Sequence, residues 1–316
     1  MRRKHTALIT SAGGHGFMEL LFAKAYNMKE VVACSEKTTK EEFEKETEDI
    51  YNRLSPFFPE MKKASWDKSE KLLKEGVSYR KKILNRKISG SMWKTFAKYK
   101  LNPKRRKNLP KFEGVDDKGF RVMLIPQKLF SDGLCGVSAK QQSVPLEAFG
   151  FFKYEDDVFA ILGQHFHKVN DLEHVENIAK EFSMYVPGKT EHEEVFGIRG
   201  VNHDQYLNLY DKVDMAVGIA GTHTWYMLTC FPDVPQIILY NKKGVENWDK
   251  IAKAYQKEGR EVYALGFDEN TDWKKFSLEL KALYTKVSKK VQKTKKEEKI
   301  KKAPQIMKIK RAVASR

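Results

Sequence analysis

Apolar and polar residues along this chain fall into short blocks with two different periods. Residues 6–12 form an apolar run of strand length, and Gly13-Gly14-His15-Gly16 separates it from residues 17–26, which have the apolar density of a helix. Residues 31–34 read as a second strand, so the chain opens with a β–glycine turn–α–β unit. From 38 to 99 the pattern turns helical and charged, with a break marked by Pro56 and Pro59. Residues 102–110 combine turn formers and charge without periodicity and read as a linker. A second series starts at Gly119. Strands are predicted at 120–125, 157–162, 195–198, 214–220, 235–240 and 262–267. Helices are predicted at 175–185, 204–213, 225–230, 245–258 and 272–291. Alternation of this kind predicts an α/β protein with doubly wound, parallel, Rossmann-like sheets.

Three regions follow from the pattern. Residues 1–118 form an N-terminal α/β region with a basic helical insertion, residues 119–291 a Rossmann-like domain, and residues 292–316 a basic tail expected to be without structure when unbound. The chain has 19 Phe, 13 Tyr and 5 Trp, enough for a large core. No apolar run reaches the ~20 residues of a bilayer span, and the apolar stretch after Met1-Arg2-Arg3-Lys4-His5 is too short for a signal peptide. Cys34, Cys135 and Cys230 are odd in number and widely spaced, which suggests neither a disulfide framework nor a zinc site. A cytoplasmic protein able to associate with a membrane surface is expected.

Charge changes the picture more than composition does. The net charge is +17, yet residues 62–111 alone carry +15 and residues 286–316 carry +11, so the remainder is acidic. Two concentrated basic segments point to a polyanionic partner, either an anionic membrane surface or DNA, although Lys-rich helices can also be merely solvated. Tyr79, Trp93, Phe96 and Tyr99 are interleaved with the first basic segment. They could stack on bases, sit at a lipid interface, or form the core face of an amphipathic helix.

Two glycine turns lie where α/β sheets bind ligands, beyond the carboxyl ends of strands. In the first, Gly13, Gly14 and Gly16 lie between a strand and a helix, where exposed amides and the helix dipole suit an anion. It lacks the lysine and hydroxyl of a triphosphate loop and is not G-x-G-x-x-G; a tight turn without ligand is the plainer alternative. In the second, Gly218 and Gly221 precede Thr222, His223 and Thr224 at a helix start, which suits a diphosphate, although a threonine there can equally be an ordinary N-cap. Glu246 follows the next strand and could accept both hydroxyls of a ribose, or simply complement its helix dipole.

The stretch from 195 to 268, with YLNLYDKVD, MAVGIAGTHTW, PQIILYN and KKGVENW in that order, resembles the donor-binding half of GT-B glycosyltransferases. The resemblance covers about a quarter of the chain. It implies two facing Rossmann-like domains, the N-terminal one on the acceptor side and 119–291 on the donor side. It also implies that Gly221, Thr222 and His223 touch the donor diphosphate and Glu246 the ribose. SAGGHG is similar to the N-terminal glycine loop of the same enzymes. The N-terminal half departs from the pattern, since its basic helical segment stands where further strands belong.

Glycosyl transfer needs a base for the acceptor hydroxyl and positive or hydrogen-bonding groups for the leaving diphosphate. His15, exposed by its glycine turn, is the first choice for the base, and Arg199 could neutralise the diphosphate. His165 and His167 could line the same cleft; without carboxylates at ligand spacing no metal is assigned. Asp214 opens a buried strand and can equally be structural. No D-x-D follows a strand, which within the resemblance argues against the metal-dependent single-domain class. Hydrolase and kinase signatures are missing, and Glu36 is the nearest acidic residue to the position a dinucleotide fold requires. The expected activity is transfer of a sugar from a nucleotide-sugar co-substrate, with no further cofactor, to a hydroxyl such as that of a cell-surface glycan. The alternatives are glucosylation of hydroxymethylated DNA bases and a non-enzymatic nucleic-acid-binding protein.

Overall fold

The computed structural model describes residues 5–11, 14–55, 58–80, 90–99, 120–125, 144–145, 148–151, 158–162, 213–244 and 247–314. The elements expected at 175–185 and 195–198, the helix expected at 204–213 apart from its last residue, and the histidine pair His165 and His167 lie outside these residues. The first unit comprises β1 (Thr6–Ile9), α1 (Gly14–Ala25), β2 (Glu30–Ala33), α2 (Lys40–Leu54), β3 (Lys62–Lys63), α3 (Trp66–Glu75), β4 (Val77–Ser78) and α4 (Gly90–Lys98). Its four strands run parallel in the order β3-β2-β1-β4. The second unit comprises β5 (Phe120–Ile125), β6 (Val158–Leu162), β7 (Met215–Ile219), α5 (Thr222–Cys230), β8 (Gln236–Asn241), α6 (Trp248–Lys257), β9 (Val262–Phe267) and α7 (Trp273–Ala314). Its five strands are also parallel, in the order β6-β5-β7-β8-β9. The chain is therefore α/β with two Rossmann-like parallel sheets.

Helices cover these sheets, so the central strands read as continuous apolar runs rather than alternating ones. Every residue of β7 is buried, as are the first five of β8. The region from 38 to 99, expected to be helical, contains two further strands of two residues each. Lys62-Lys63 has neither the length nor the apolar pattern of a strand; it is one because its backbone pairs with Val32 and Ala33. Gly76 precedes β4, and a Cβ there would lie 2.6 Å from the Leu8 side chain, so only glycine lets β4 enter against β1.

One core joins the two units. α1 packs against α5, and α4 packs against α6. Aromatic rings connect them: Phe22 meets Phe96 edge-on at 4.9 Å, Phe96 meets Trp93 at 5.5 Å, Trp93 stacks on Trp225 at 5.4 Å, and Trp225 leans on Trp248 at 5.2 Å. Of the aromatics interleaved with the first basic segment, Tyr79, Trp93 and Phe96 are thus core residues, and Tyr99 packs against the same core. They are not available to bases or lipid. The core also runs straight across the boundary expected at 118, because α4 belongs by sequence to the first region and by packing to the second unit.

The last helix does not stop at 291. Its first five turns carry a stripe of Trp273, Phe276, Leu280, Tyr284 and Val287, which dock on the second unit beside Phe267 and Phe151. The helix then continues without interruption to Ala314, through the segment expected to be without structure. Two lysines anchor its middle, Lys290 to Glu261 and Lys295 to Asp214. Asp214 is buried at the amino end of β7. It also accepts from the Arg121 backbone N–H at 2.9 Å and from the Arg121 guanidinium at 3.2 Å, so it ties β5, β7 and α7 together. That is a structural role, far along the strand from the carboxyl edge. Among the described residues no helix is long and apolar enough to cross a membrane.

Candidate functional site

Each sheet has a topological switch point, where neighbouring strands send their connections to opposite sides and leave a crevice beyond the carboxyl ends. In the first sheet it lies between β1 and β4. Thr10 and Ser11 leave β1 there, and Ser78, Tyr79 and Arg80 leave β4. Beneath this switch point lies a buried carboxyl group. Glu19, the only charged residue in the apolar run Phe17–Ala23 of α1, has no solvent exposure. It accepts from the Thr10 N–H at 2.8 Å, from the Thr10 hydroxyl at 3.1 Å and from the Ser78 hydroxyl at 3.3 Å. Arg80 donates to the Thr10 carbonyl at 3.2 Å and lies 3.7 Å from Glu36, which leaves β2. Next to it, Ser35 donates to Glu46, and its backbone N–H donates to Thr47 at 3.0 Å.

Burial pushes the Glu19 carboxyl up to about 7, against the opposing pull of the Thr10 N–H, the two hydroxyls and the Arg80 guanidinium. Having no exposed atom, Glu19 cannot touch a ligand itself. It positions the ends of β1 and β4, and Arg80 with them. A carboxyl raised above its ordinary 4.5 holds its proton more tightly folded than unfolded, so the protonated form favours the fold. The stability of the natural protein, measured relative to Glu19→Gln, should therefore fall between about pH 4.5 and pH 7, by on the order of 3 kcal/mol, and level off above. Urea unfolding of both proteins over a pH series measures this difference. A difference independent of pH would contradict the assignment.

His15 lies in the first turn of α1, partly buried, four residues before Glu19 and so on the same side of the helix one turn away. Gly14 begins the helix, three residues earlier than the apolar pattern indicates; Gly13 is outside the described residues. Gly16 serves packing. A Cβ at this position would lie 2.0 Å from the Ser11 carbonyl oxygen and 2.7 Å from the Leu54 side chain. The glycine lets α1 start directly against the end of β1, with no need to invoke a ligand.

The second switch point lies between β5 and β7, where Ile125 pairs with Gly218. Gly218 is buried inside the sheet. Gly221 follows at the N-cap of α5, which begins at Thr222 rather than at Trp225. Its N–H donates to the Thr224 hydroxyl at 3.1 Å, and the Thr224 N–H donates back to the Gly221 carbonyl at 3.0 Å. Thr224 is 2% exposed, so its hydroxyl belongs to the cap and is withdrawn from the opening, which corrects the expected diphosphate contact. Thr222 and His223 form the first turn of α5, where helices leave N–H groups without intrahelical partners. Arg199 and Glu246 lie outside the described residues.

Sequence reasoning missed Glu19, Ser78 and Arg80. A lone glutamate inside FMELLF was the available signal for the first, since a buried carboxylate needs partners. No local pattern marks Ser78 or Arg80, which reach the site only through the pairing of β4 with β1. Cys34 and Cys230 are buried free thiols that burial pushes up to about 11 and about 12, so neither is a nucleophile near neutral pH.

The fold and its two switch points define a parallel α/β protein with two Rossmann-like sheets. No protein-family model matches the chain, and no curated protein matches it in sequence.

Proposed function

We propose that this chain is a nucleotide-sugar-dependent glycosyltransferase of GT-B-like organisation. The observation that carries the reading is the presence of two all-parallel sheets in one chain, each with a switch point and each with a glycine turn opening the helix after its central strand. In this reading the donor diphosphate meets the first turn of α5 at Thr222 and His223, and Glu246 takes the ribose. Arg199 neutralises the diphosphate charge as it departs. His15, at the mouth of the other crevice, takes the proton of the acceptor hydroxyl. The nucleotide-sugar is a co-substrate and no separate cofactor is needed.

Gly221 offers the sharpest test. Its φ of −174° is ordinary extended backbone, so Gly221→Arg introduces a bulky cation at the turn without backbone strain. A nucleotide-sugar at about 100 times its Kd should stabilise the natural protein by roughly 2.7 kcal/mol. A thermal-shift panel of nucleoside diphosphates and of UDP-, GDP-, ADP- and CMP-sugars reads this directly. One base should give a shift that Gly221→Arg abolishes and Glu246→Ala reduces. No shift with any nucleotide, together with salt-sensitive DNA binding that Gly221→Arg leaves intact, would refute the transferase in favour of a non-enzymatic binder.

A further inference from the structure

Several cations of the first basic segment are satisfied by carboxylates. Lys62 meets Glu30 at 2.7 Å, Lys74 meets Glu70 at 2.6 Å, and Lys63 pairs with Glu48. Arg80 is different. The carboxylate it faces, Glu36, stands 3.7 Å away, an ion pair without a hydrogen bond. Its Nη1 donates to the Thr10 carbonyl at 3.2 Å, while among the described residues its Nε and Nη2 meet no acceptor. The Arg80 side chain is 32% exposed and that of Glu36 52%, so the pair lies at the surface of the first switch point.

Both partners are nevertheless held from behind by buried groups. The Arg80 N–H donates to the Ser78 hydroxyl at 3.3 Å, and that hydroxyl donates to Glu19. On the other side of β1, Glu36 follows Ser35, which has no solvent exposure. The Ser35 N–H donates to the Thr47 hydroxyl at 3.0 Å, and its own hydroxyl donates to Glu46 and accepts from the Lys37 N–H at 3.0 Å. Surface ion pairs contribute little and need no such support. A guanidinium fixed in place with part of its fork unspent is instead a preorganised donor array. The first turn of α1 opens beside it. Arg80 is held by the carbonyl of Thr10, and the next carbonyl, that of Ser11, is the one Gly16 approaches. The N–H groups of such a first turn have no intrahelical partners.

We propose that the first switch point binds a phosphoryl group, with Arg80 as the residue that contacts it and Glu36 as the internal acid that the ligand displaces. The fork and the backbone N–H groups are all donors. Together they suit a tetrahedral dianion, whereas a planar carboxylate is satisfied by the fork alone. Without ligand, Glu36 offsets the Arg80 charge from a distance; phosphoryl oxygens at hydrogen-bond distance take over that role. A free phosphate ion and the end of a phosphomonoester use the same contacts. The assignment holds whether or not the second crevice takes a nucleotide-sugar.

The test is calorimetric binding of inorganic phosphate and of glucose 1-phosphate to the full chain at constant ionic strength, with acetate as control. Phosphate should bind saturably, and acetate about tenfold more weakly. Arg80→Gln should weaken phosphate about tenfold or more, and Arg80→Lys, which keeps the charge and loses the fork, about threefold. Glu36→Gln should do the opposite and tighten phosphate about threefold, because the competing acid is gone. An ion pair with a structural role alone gives no such opposed effects. Glu36 is exposed, so its variant decides the matter even where the Arg80 variants lose stability with their Thr10 contact. Affinity for glucose 1-phosphate no better than for phosphate assigns the site to the free ion, and tighter binding assigns it to a phosphomonoester; both support the proposal. It is overturned if neither probe binds saturably, or if Glu36→Gln fails to tighten binding. It is equally overturned if Arg80→Gln binds phosphate as the natural chain does while Gly221→Arg does not, since the phosphate then lies in the second crevice.

Discussion

Gly16→Ala is expected to cost the protein on the order of 4 kcal/mol, enough to leave much of it unfolded at moderate temperature. In an ordinary helix the exchange stabilises by roughly 1 kcal/mol, because alanine has the highest helix propensity and glycine loses the most backbone freedom. Here the sign reverses. The added methyl would lie 2.0 Å from the Ser11 carbonyl oxygen, a backbone atom that cannot rotate away, and 2.7 Å from Leu54. Relief requires α1 to lift from the end of β1. α1 carries Phe17, Leu20, Leu21 and Phe22 into the core, with Glu19 beneath the switch point, so the displacement spreads to both units. Chemical denaturation of the purified variant, or its absence from the soluble fraction, reads the effect. An alanine variant as stable as the natural protein would show that the turn is looser than its close approach implies.

Arg260→Ala should destabilise by roughly 3 kcal/mol, the sum of two stranded carbonyls, a lost cation–π contact and a void. The side chain is 7% exposed. One guanidinium nitrogen donates to the Ala97 carbonyl at 3.5 Å and the other to the Leu228 carbonyl. These carbonyls stand in the last turns of α4 and α5, where helices run out of internal donors. The guanidinium lies 4.6 Å over the Tyr255 ring, and burial depresses its pKa below the ordinary arginine value. One side chain thus closes two helix ends from different units. It is aimed there by Gly259, whose φ of +79° ends α6 with the Gly259 N–H on the Gln256 carbonyl and the Arg260 N–H on the Tyr255 carbonyl. Arg260→Met, which keeps volume and removes a buried charge, should recover about half of the loss. Equal stabilities of the alanine variant and the natural protein in urea would remove Arg260 from this role.

Strands β5 and β9 are legible to the residue in the sequence, Phe120–Ile125 and Val262–Phe267, because buried parallel strands are continuous apolar runs bounded by polar or turn residues. β3 and β4 were not legible. Two lysines have no strand character of their own and acquire it from neighbours supplied by β2. Both glycine segments stand at helix starts, α1 at Gly14 and α5 just after Gly221. Gly16 reads in sequence as a ligand glycine, and the fold adds a packing demand that depends on what stands opposite its missing Cβ. Thr224 reads in sequence as one of several diphosphate contacts; in the fold its hydroxyl accepts from the N–H of the residue three before it.

By itself the sequence determined the class of fold and the position of the central strands and glycine turns, together with the uneven distribution of charge. Those properties are local: they depend on runs of three to ten residues and on the periods of helix and strand. Only the tertiary structure decided that the basic segment at 62–111 donates its aromatics to the core and pairs several of its cations with acids far along the chain. Only there does Glu19 acquire its three donors and Arg80 its place beside Thr10, since these contacts join residues 9 to 70 positions apart. A buried carboxyl or guanidinium is defined by what desolvates it and what it bonds, and both are properties of the assembled chain.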